Sequence, residues 1–340
     1  MLNESFAMVY LADLDRPGRA RMTQTVVLAL GGNALSQAGQ SGTYEEQAAN
    51  AAAMAAAICG LLDAGRGVVI VHGNGPQVGA LALQQEEGVA LVPPQPLFAL
   101  GAMTQGQLGS LLGLALRNAC GERAARVVSL TTHVLVDPAD PGFAHPTKPI
   151  GPFFPPEQAR ALAASRGWVV GEDAGRGWRR MVASPEPLAI VEADAIRSLA
   201  AAGFLVVAAG GGGVPVTRAD GGIHGVDAVV DKDLAAALLA AATGADALVL
   251  VTGVDQVALD FGTDSERPVD AMTADEAERH LLAGQFPPGS MGPKIAAAVR
   301  FLRAGGKLAV ITSPPHLVAA LDGRHGTRIV PARTRAEARR

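Results

Sequence analysis

The sequence predicts an α/β protein: a mostly parallel open sheet with helices on both faces, a three-layer αβα sandwich, interrupted by an inserted subdomain. Three observations lead there. Short, continuously apolar, β-branched runs such as TVVLAL at 25–30 are the pattern of strands covered on both faces. These runs alternate with helical stretches, each leaving enough chain for a right-handed crossover. The chain has 41 glycines and only 4% aromatic residues, and small side chains let helices sit close on a sheet.

In chain order, residues 1–22 show no hydrophobic period and end at a further methionine, Met22. They are expected to be a disordered extension or a mis-assigned start. The strand at 25–30 stops at Gly31 and Gly32, and an Ala-rich helix is expected over 43–64. GVVIVHGNGPQVG at 67–79 reads as a second strand breaking into a glycine turn, followed by a helix through about Glu87. Residues 103–119 read as helix and ARVVSL at 125–130 as strand. Between about 132 and 187 the pattern turns rich in Pro, Gly and Trp, which predicts an inserted subdomain. FLVVAAGGGG at 204–213 and ALVLVTGVD at 247–255 are further strands that run into turns. The domain is expected to span 23–332, with the Arg-rich 333–340 a solvated tail.

At 340 residues and 49% hydrophobic content, the chain can bury a core without metals or disulfides. A net charge of −4 offers no basic stripe for a phosphate backbone, which argues against nucleic acid as a partner. No apolar run reaches membrane-spanning length, and residues 1–22 lack signal-peptide order, so no membrane partner and a cytoplasmic location are expected. Cys59 and Cys120 lie in helical stretches, far from any CxxC spacing, and read as buried, reduced thiols.

In open parallel sheets, ligands bind beyond the carboxyl ends of the strands, where the glycine turns fall. Gly31, Gly32 and Asn33 would offer unobstructed backbone N–H groups to phosphate oxygens, or simply form a tight turn. In HGNGPQVG, Gly79 comes one residue too late for the dinucleotide fingerprint, and no ribose-binding acid follows, which disfavours a nicotinamide enzyme. The classical P-loop is absent as well. Lysines are few: four, against twenty-four arginines. Lys148, Lys232 and Lys294 sit in Gly-, Asp- or Pro-rich turns, whereas Lys307 reads as ordinary surface. Lys232 lies between Asp231 and Asp233 at an expected helix start, either a capped, solvated terminus or a phosphoryl-binding lysine with its positioning carboxylate. Lys294 falls in the first turn of a helix that Ser290 can cap, where a cation opposes the helix dipole.

Taken together, LALGGNAL, HGNGPQVG, GAMTQGQLG, PTKPIGPF, EDAGRGWRR, AAGGGGVPV, VVDKDLAAALLA and PGSMGPK resemble the carbamate kinases of the amino acid kinase superfamily, over about 25–330. The resemblance implies the amino acid kinase fold, a homodimer, and reversible phosphoryl transfer between carbamoyl phosphate and ADP, giving ATP and carbamate, with Mg²⁺ held mainly through the nucleotide phosphates. It implies that Lys232 and Lys294 bind the transferring group, that Asp233 orients them, and that Lys148 reaches in from the protruding subdomain. It assigns Gly31, Gly32, Asn33, Gly73, Asn74 and Gly75 to phosphate and carbamate, and places Gly210, Gly211, Gly212 and Gly213 in the same cleft. Thr252, Met291 and Gly292 are assigned to the nucleotide. The chain departs from the family at Gly253, where a carboxylate is usual, at Ala258, where tyrosine is common, at Asp260, and at His133, which stands where glutamine is common and reads as a local hydrogen-bonding residue. Two other readings stay open: a related kinase acting on a carboxylate and a non-catalytic nucleotide-binding regulator.

Overall fold

A computed structural model describes residues 24–332 apart from 32, 33, 38, 174 and 288. The expected extension at 1–22 and the tail at 333–340 lie outside the described residues.

The main sheet contains β1 (Gln24–Leu30), β2 (Arg66–His72), β3 (Val127–Ser129), β4 (Leu205–Val207), β5 (Ala247–Val251), β6 (Ala271–Thr273), β7 (Leu308–Thr312) and β8 (Thr327–Val330). Its spatial order is β6-β8-β7-β5-β1-β2-β4-β3. Every neighbouring pair is parallel except β7 with β8. The helices are α1 (Tyr44–Asp63), α2 (Gly75–Gly88), α3 (Leu97–Cys120), α4 (Pro156–Arg166), α5 (Ala193–Ala201), α6 (Lys232–Thr243), α7 (Ala274–Leu282), α8 (Met291–Arg303) and α9 (Leu317–Leu321).

The run of apolar residues in β1 serves both faces, because successive side chains point opposite ways. Val27 and Ala29 join a core with α6 and α8, while Val26, Leu28 and Leu30 join a second core with α1, α3 and α9. The helix expected over 43–64 starts at a capping box, in which Thr43 accepts from the Glu46 N–H and the Glu46 carboxylate accepts from the Thr43 N–H. The helix expected over 103–119 begins earlier, at Leu97, directly after Pro96.

The two cysteines correct an expectation. Cys59 and Cys120 are buried but form a disulfide between α1 and α3, with their Cα atoms 5.4 Å apart. Sixty-one residues separate them in sequence, and only the packing of two helices on one sheet face brings them together.

The Pro-rich stretch forms an antiparallel three-stranded sheet of Lys148–Phe154, Trp178–Val182 and Val169–Glu172, with α4 connecting two of its strands. It seats on α2 through a backbone contact: a Cβ on Gly79 would lie 2.0 Å from the Gly151 nitrogen. Val78 and Ala82 of α2 share a small core with Ile150 and Val182. A separate four-stranded sheet joins Gly222–Gly225, Val214–Ala219, His133–Val136 and Pro187–Ile190.

Candidate active site

The carboxyl ends of β1, β2 and β5, the glycine turn after β4, the first turns of α6 and α8, and the strand Lys148–Phe154 surround one cavity of about 1760 Å³. Its polar end is built on α6. Asp231 caps that helix, its Oδ1 accepting from the N–H groups of Asp233 and Leu234 at 2.8 and 3.3 Å. The cap expected from the DKD sequence is present, but the terminus is not solvated, because Lys232 is buried. Lys232 Nζ donates to Asp233 Oδ1 at 2.7 Å, and Lys294 Nζ donates to Asp233 Oδ2 at 3.1 Å. Lys148 reaches in from the subdomain and donates to Asp231 Oδ2 at 2.5 Å.

Lys232, Asp233 and Lys294 are all buried. Three lysines meet two carboxylates, so lysines outnumber their carboxylate partners at this end of the cavity, an arrangement suited to an anion. Burial pushes Lys232 down to about 8, helped by the like charge of Lys294 and opposed by Asp233. Burial also disfavours charge on Lys148, yet the adjacent Asp231 carboxylate outweighs it and holds this lysine above its ordinary value. Burial by itself would raise Asp233, but the two lysines it bridges overcome that and hold it below the usual carboxylate range. Ser290 stands at the N-cap of α8 but makes no side-chain cap, which corrects the capping expectation.

Of the residues singled out in the sequence, the cavity brings together Gly31, Gly73, Asn74, Gly75, Lys148, Gly211, Lys232, Asp233, Thr252, Met291 and Lys294. Gly32 and Asn33 lie outside the described residues. Gly210, Gly212, Gly213 and Gly292 do not line it. The first three are glycines because the fold presses on them: added Cβ atoms would lie 2.3 Å from His72 Nε2, 2.3 Å from the Val230 carbonyl oxygen and 2.2 Å from a Val134 methyl group. His133 pairs with Glu192 at 2.8 Å, away from the cavity, and Lys307 pairs with Asp246 on the surface. Of the departures from the family pattern, Gly253 and Ala258 line the cavity, with Val254 and Phe261 beside them in sequence, whereas Asp260 and His133 do not.

Sequence reasoning missed the second task of Asp231, holding Lys148, and missed Arg179 altogether. Arg179 is buried beside the cavity, bonded to Asp173 at 3.0 Å and to the Gly151 carbonyl at 2.9 Å. It lies in the EDAGRGWRR string, which was the available signal. Behind the glycine turns, Gln105 of α3 makes a two-point bond to the Thr132 backbone, at 2.9 and 3.1 Å. Thr132 Oγ1 in turn accepts from the Ala209 N–H at the entrance to the 210–213 turn. Burial lowers His72, at the end of β2, to about 4, so it packs neutral beneath the same turn.

A cluster of lysines at the strand ends, held by two aspartates and facing one large cavity, is suited to binding a phosphoryl group. The sequence model of the amino acid kinase family matches residues 24–313. A carbamate kinase of Pyrococcus horikoshii is 48% identical over 314 residues, covering 91% of this chain and 100% of that protein. Carbamate kinase from Giardia lamblia bound to citric acid superposes with a TM-score of 0.88 at 41% identity, covering 92% of this chain and 100% of that one. The same enzyme bound to AMP-PNP gives a TM-score of 0.83 at 42% identity, over 92% and 100% of the two chains. The chain belongs to the amino acid kinase family, and within it to the carbamate kinases.

Proposed function

We propose that this chain transfers a phosphoryl group between carbamoyl phosphate and ADP, yielding ATP and carbamate, with Lys148, Lys232 and Lys294 neutralising the group in flight. The observation that carries the reading is the pair of aspartates holding three lysines, two of them buried, around one end of the cavity. Phosphoryl transfer asks chiefly for in-line positioning and charge neutralisation, and carbamate is already an anionic nucleophile, so no general base is required. Asp233 sets the separation of Lys232 and Lys294, while Asp231 holds the lysine contributed by the subdomain. The glycine turns at Gly31, Gly73, Gly75 and Gly211 would let backbone approach the ligand, and Thr252 and Met291, which line the same cavity, would contact the nucleotide.

Magnesium would arrive on the nucleotide phosphates, since both oxygens of Asp231 and of Asp233 already accept hydrogen bonds. Bound there, it would supply positive charge that offsets the charge developing on the transferring group. A homodimer is part of the proposal: Met103 and Leu114 stand half-exposed on α3, and Leu91, in the loop that precedes this helix in sequence, is 91% exposed. So is a cytoplasmic location. Among the described residues no helix is long and apolar enough to cross a membrane, and the Cys59–Cys120 bridge is shielded from attack by solvent thiols by its burial.

The test is ATP formation from ADP, Mg²⁺ and carbamoyl phosphate by wild type and Lys294→Ala. Robust ATP production that collapses at least a hundredfold in the folded variant is expected. A well-folded wild type that makes no ATP sinks the reading.

A further inference from the structure

The motif GAMTQGQLG, at 101–109 in α3, has no part in the chemistry described so far, yet its Thr104 touches the site through one side chain. Asn74 Nδ2 donates to Thr104 Oγ1 at 2.9 Å, and Thr104 Oγ1 lies 2.9 Å from the Gly101 carbonyl oxygen one helical turn back. A carbonyl oxygen can only accept, so the single hydroxyl proton of Thr104 is committed to Gly101. What Thr104 offers Asn74 is a lone pair. The amide must therefore present its NH₂ to the helix, which settles an orientation that geometry alone leaves two-fold.

The consequence is felt at the other end of the amide. Asn74 is 4% exposed and lines the cavity, and its Oδ1 takes no hydrogen bond among the described residues. The amide packs over Gly211, where a Cβ would meet all three amide atoms at 2.2 to 2.4 Å, so the place of the group is held by that packing while its end-for-end sense is set by Thr104. An unpaired carbonyl acceptor thus lines the same cavity as Lys148, Lys232 and Lys294, which supply only donors.

We infer that Thr104 is a positioning residue that makes Asn74 the reader of the amino group of carbamoyl phosphate: Oδ1 accepts an N–H that the substrate carries and an acyl phosphate with a methyl in that place lacks. The inference rests on the carbamate kinase reading and adds to it the means by which this site tells one acyl phosphate from another. A buried acceptor left without a partner costs binding, and sites built around such a bond reject the analogue that cannot make it far more strongly than apolar pockets reject a missing methylene.

The experiment measures kcat/KM for ATP formation from ADP with carbamoyl phosphate and, separately, with acetyl phosphate, in wild type, Thr104→Val, Thr104→Ser and Asn74→Ala. Wild type is expected to prefer carbamoyl phosphate at least a hundredfold. Thr104→Val removes the lone pair, frees the amide to reverse, and lowers that preference at least tenfold, with the KM for ADP within threefold of wild type. Thr104→Ser retains the preference within threefold, and Asn74→Ala abolishes most of it. A preference unchanged in Thr104→Val or in Asn74→Ala overturns the inference. So does a parallel loss of both rates with a lowered melting temperature, which is what a purely structural threonine would give. Wild type inactive with both acyl phosphates would instead overturn the kinase reading beneath it.

Discussion

Replacing Asp233 by asparagine keeps the shape of the clamp and deletes the charge at its centre. The carboxylate is 3% exposed and receives Lys232 at 2.7 Å and Lys294 at 3.1 Å. At that separation and an effective dielectric near 20, the attraction to Lys232 is about 6 kcal/mol, or about four pKa units at about 1.4 kcal/mol each. Lys232 starts from about 8 because of burial and the neighbouring Lys294, so it has no reserve. Without Asp233 it gives up its proton well below neutrality. A lysine about 4 Å from an anionic oxygen contributes about 4 kcal/mol at the same dielectric, so its neutralisation lowers kcat/KM about a thousandfold at pH 7. The sign of the pH effect follows from the charge: lysine is a cation below its pKa, so rising pH removes the anion-binding form. Wild-type kcat/KM for carbamoyl phosphate should fall above about pH 8 as the free enzyme loses the Lys232 proton. In Asp233→Asn that limb moves to acid, and the variant gains activity as pH is lowered from 8 to 6. The assay is a pH series of initial rates of ATP formation, with circular dichroism confirming the fold. A variant retaining more than a tenth of wild-type activity at pH 7, or keeping its limb near pH 8, refutes the reasoning.

The seat of the subdomain is testable at one glycine. An alanine at Gly79 would put its Cβ 2.0 Å from the Gly151 nitrogen, on the strand that carries Lys148, while an alanine at Gly88 on the same helix meets nothing within 4 Å. Gly79→Ala should lose about 1–3 kcal/mol of stability and much of kcat, with Gly88→Ala as the unaffected control; equal melting temperatures and rates in the two variants would exclude the contact. For the disulfide, non-reducing peptide mapping should recover Cys59 linked to Cys120. Opening a loop of 61 residues costs up to about 4 kcal/mol on the chain-entropy account. Because neither cysteine lines the cavity, Cys59→Ala/Cys120→Ala should lower the denaturation midpoint while leaving the rate per folded molecule unchanged. A midpoint that does not move would show that the bridge adds nothing.

Much of this protein can be read from its sequence. Strand runs such as TVVLAL announce burial on both faces because their apolar character is unbroken, and the strands β1, β2 and β5 fall where those runs do. The scarcity of lysine by itself points to Lys148, Lys232 and Lys294, since a lysine spared in an arginine-rich chain and placed in a turn calls for an explanation. Those properties are local: they depend on neighbours a few residues away. What only the tertiary structure decided depends on neighbours far along the chain. The Gly210–Gly213 run reads uniformly as a phosphate loop, yet only Gly211 lines the cavity, while the other three face His72, Val230 and Val134. The second carboxylate of the clamp, Asp231, meets its lysine across 83 residues. Cys59 and Cys120 carry no spacing signal, and became a bridge only when two helices lay side by side on one sheet face. A sequence records which side chains can ionise, bond or pack; folding determines which of them meet, because distance in space is set by the sheet order and not by distance along the chain.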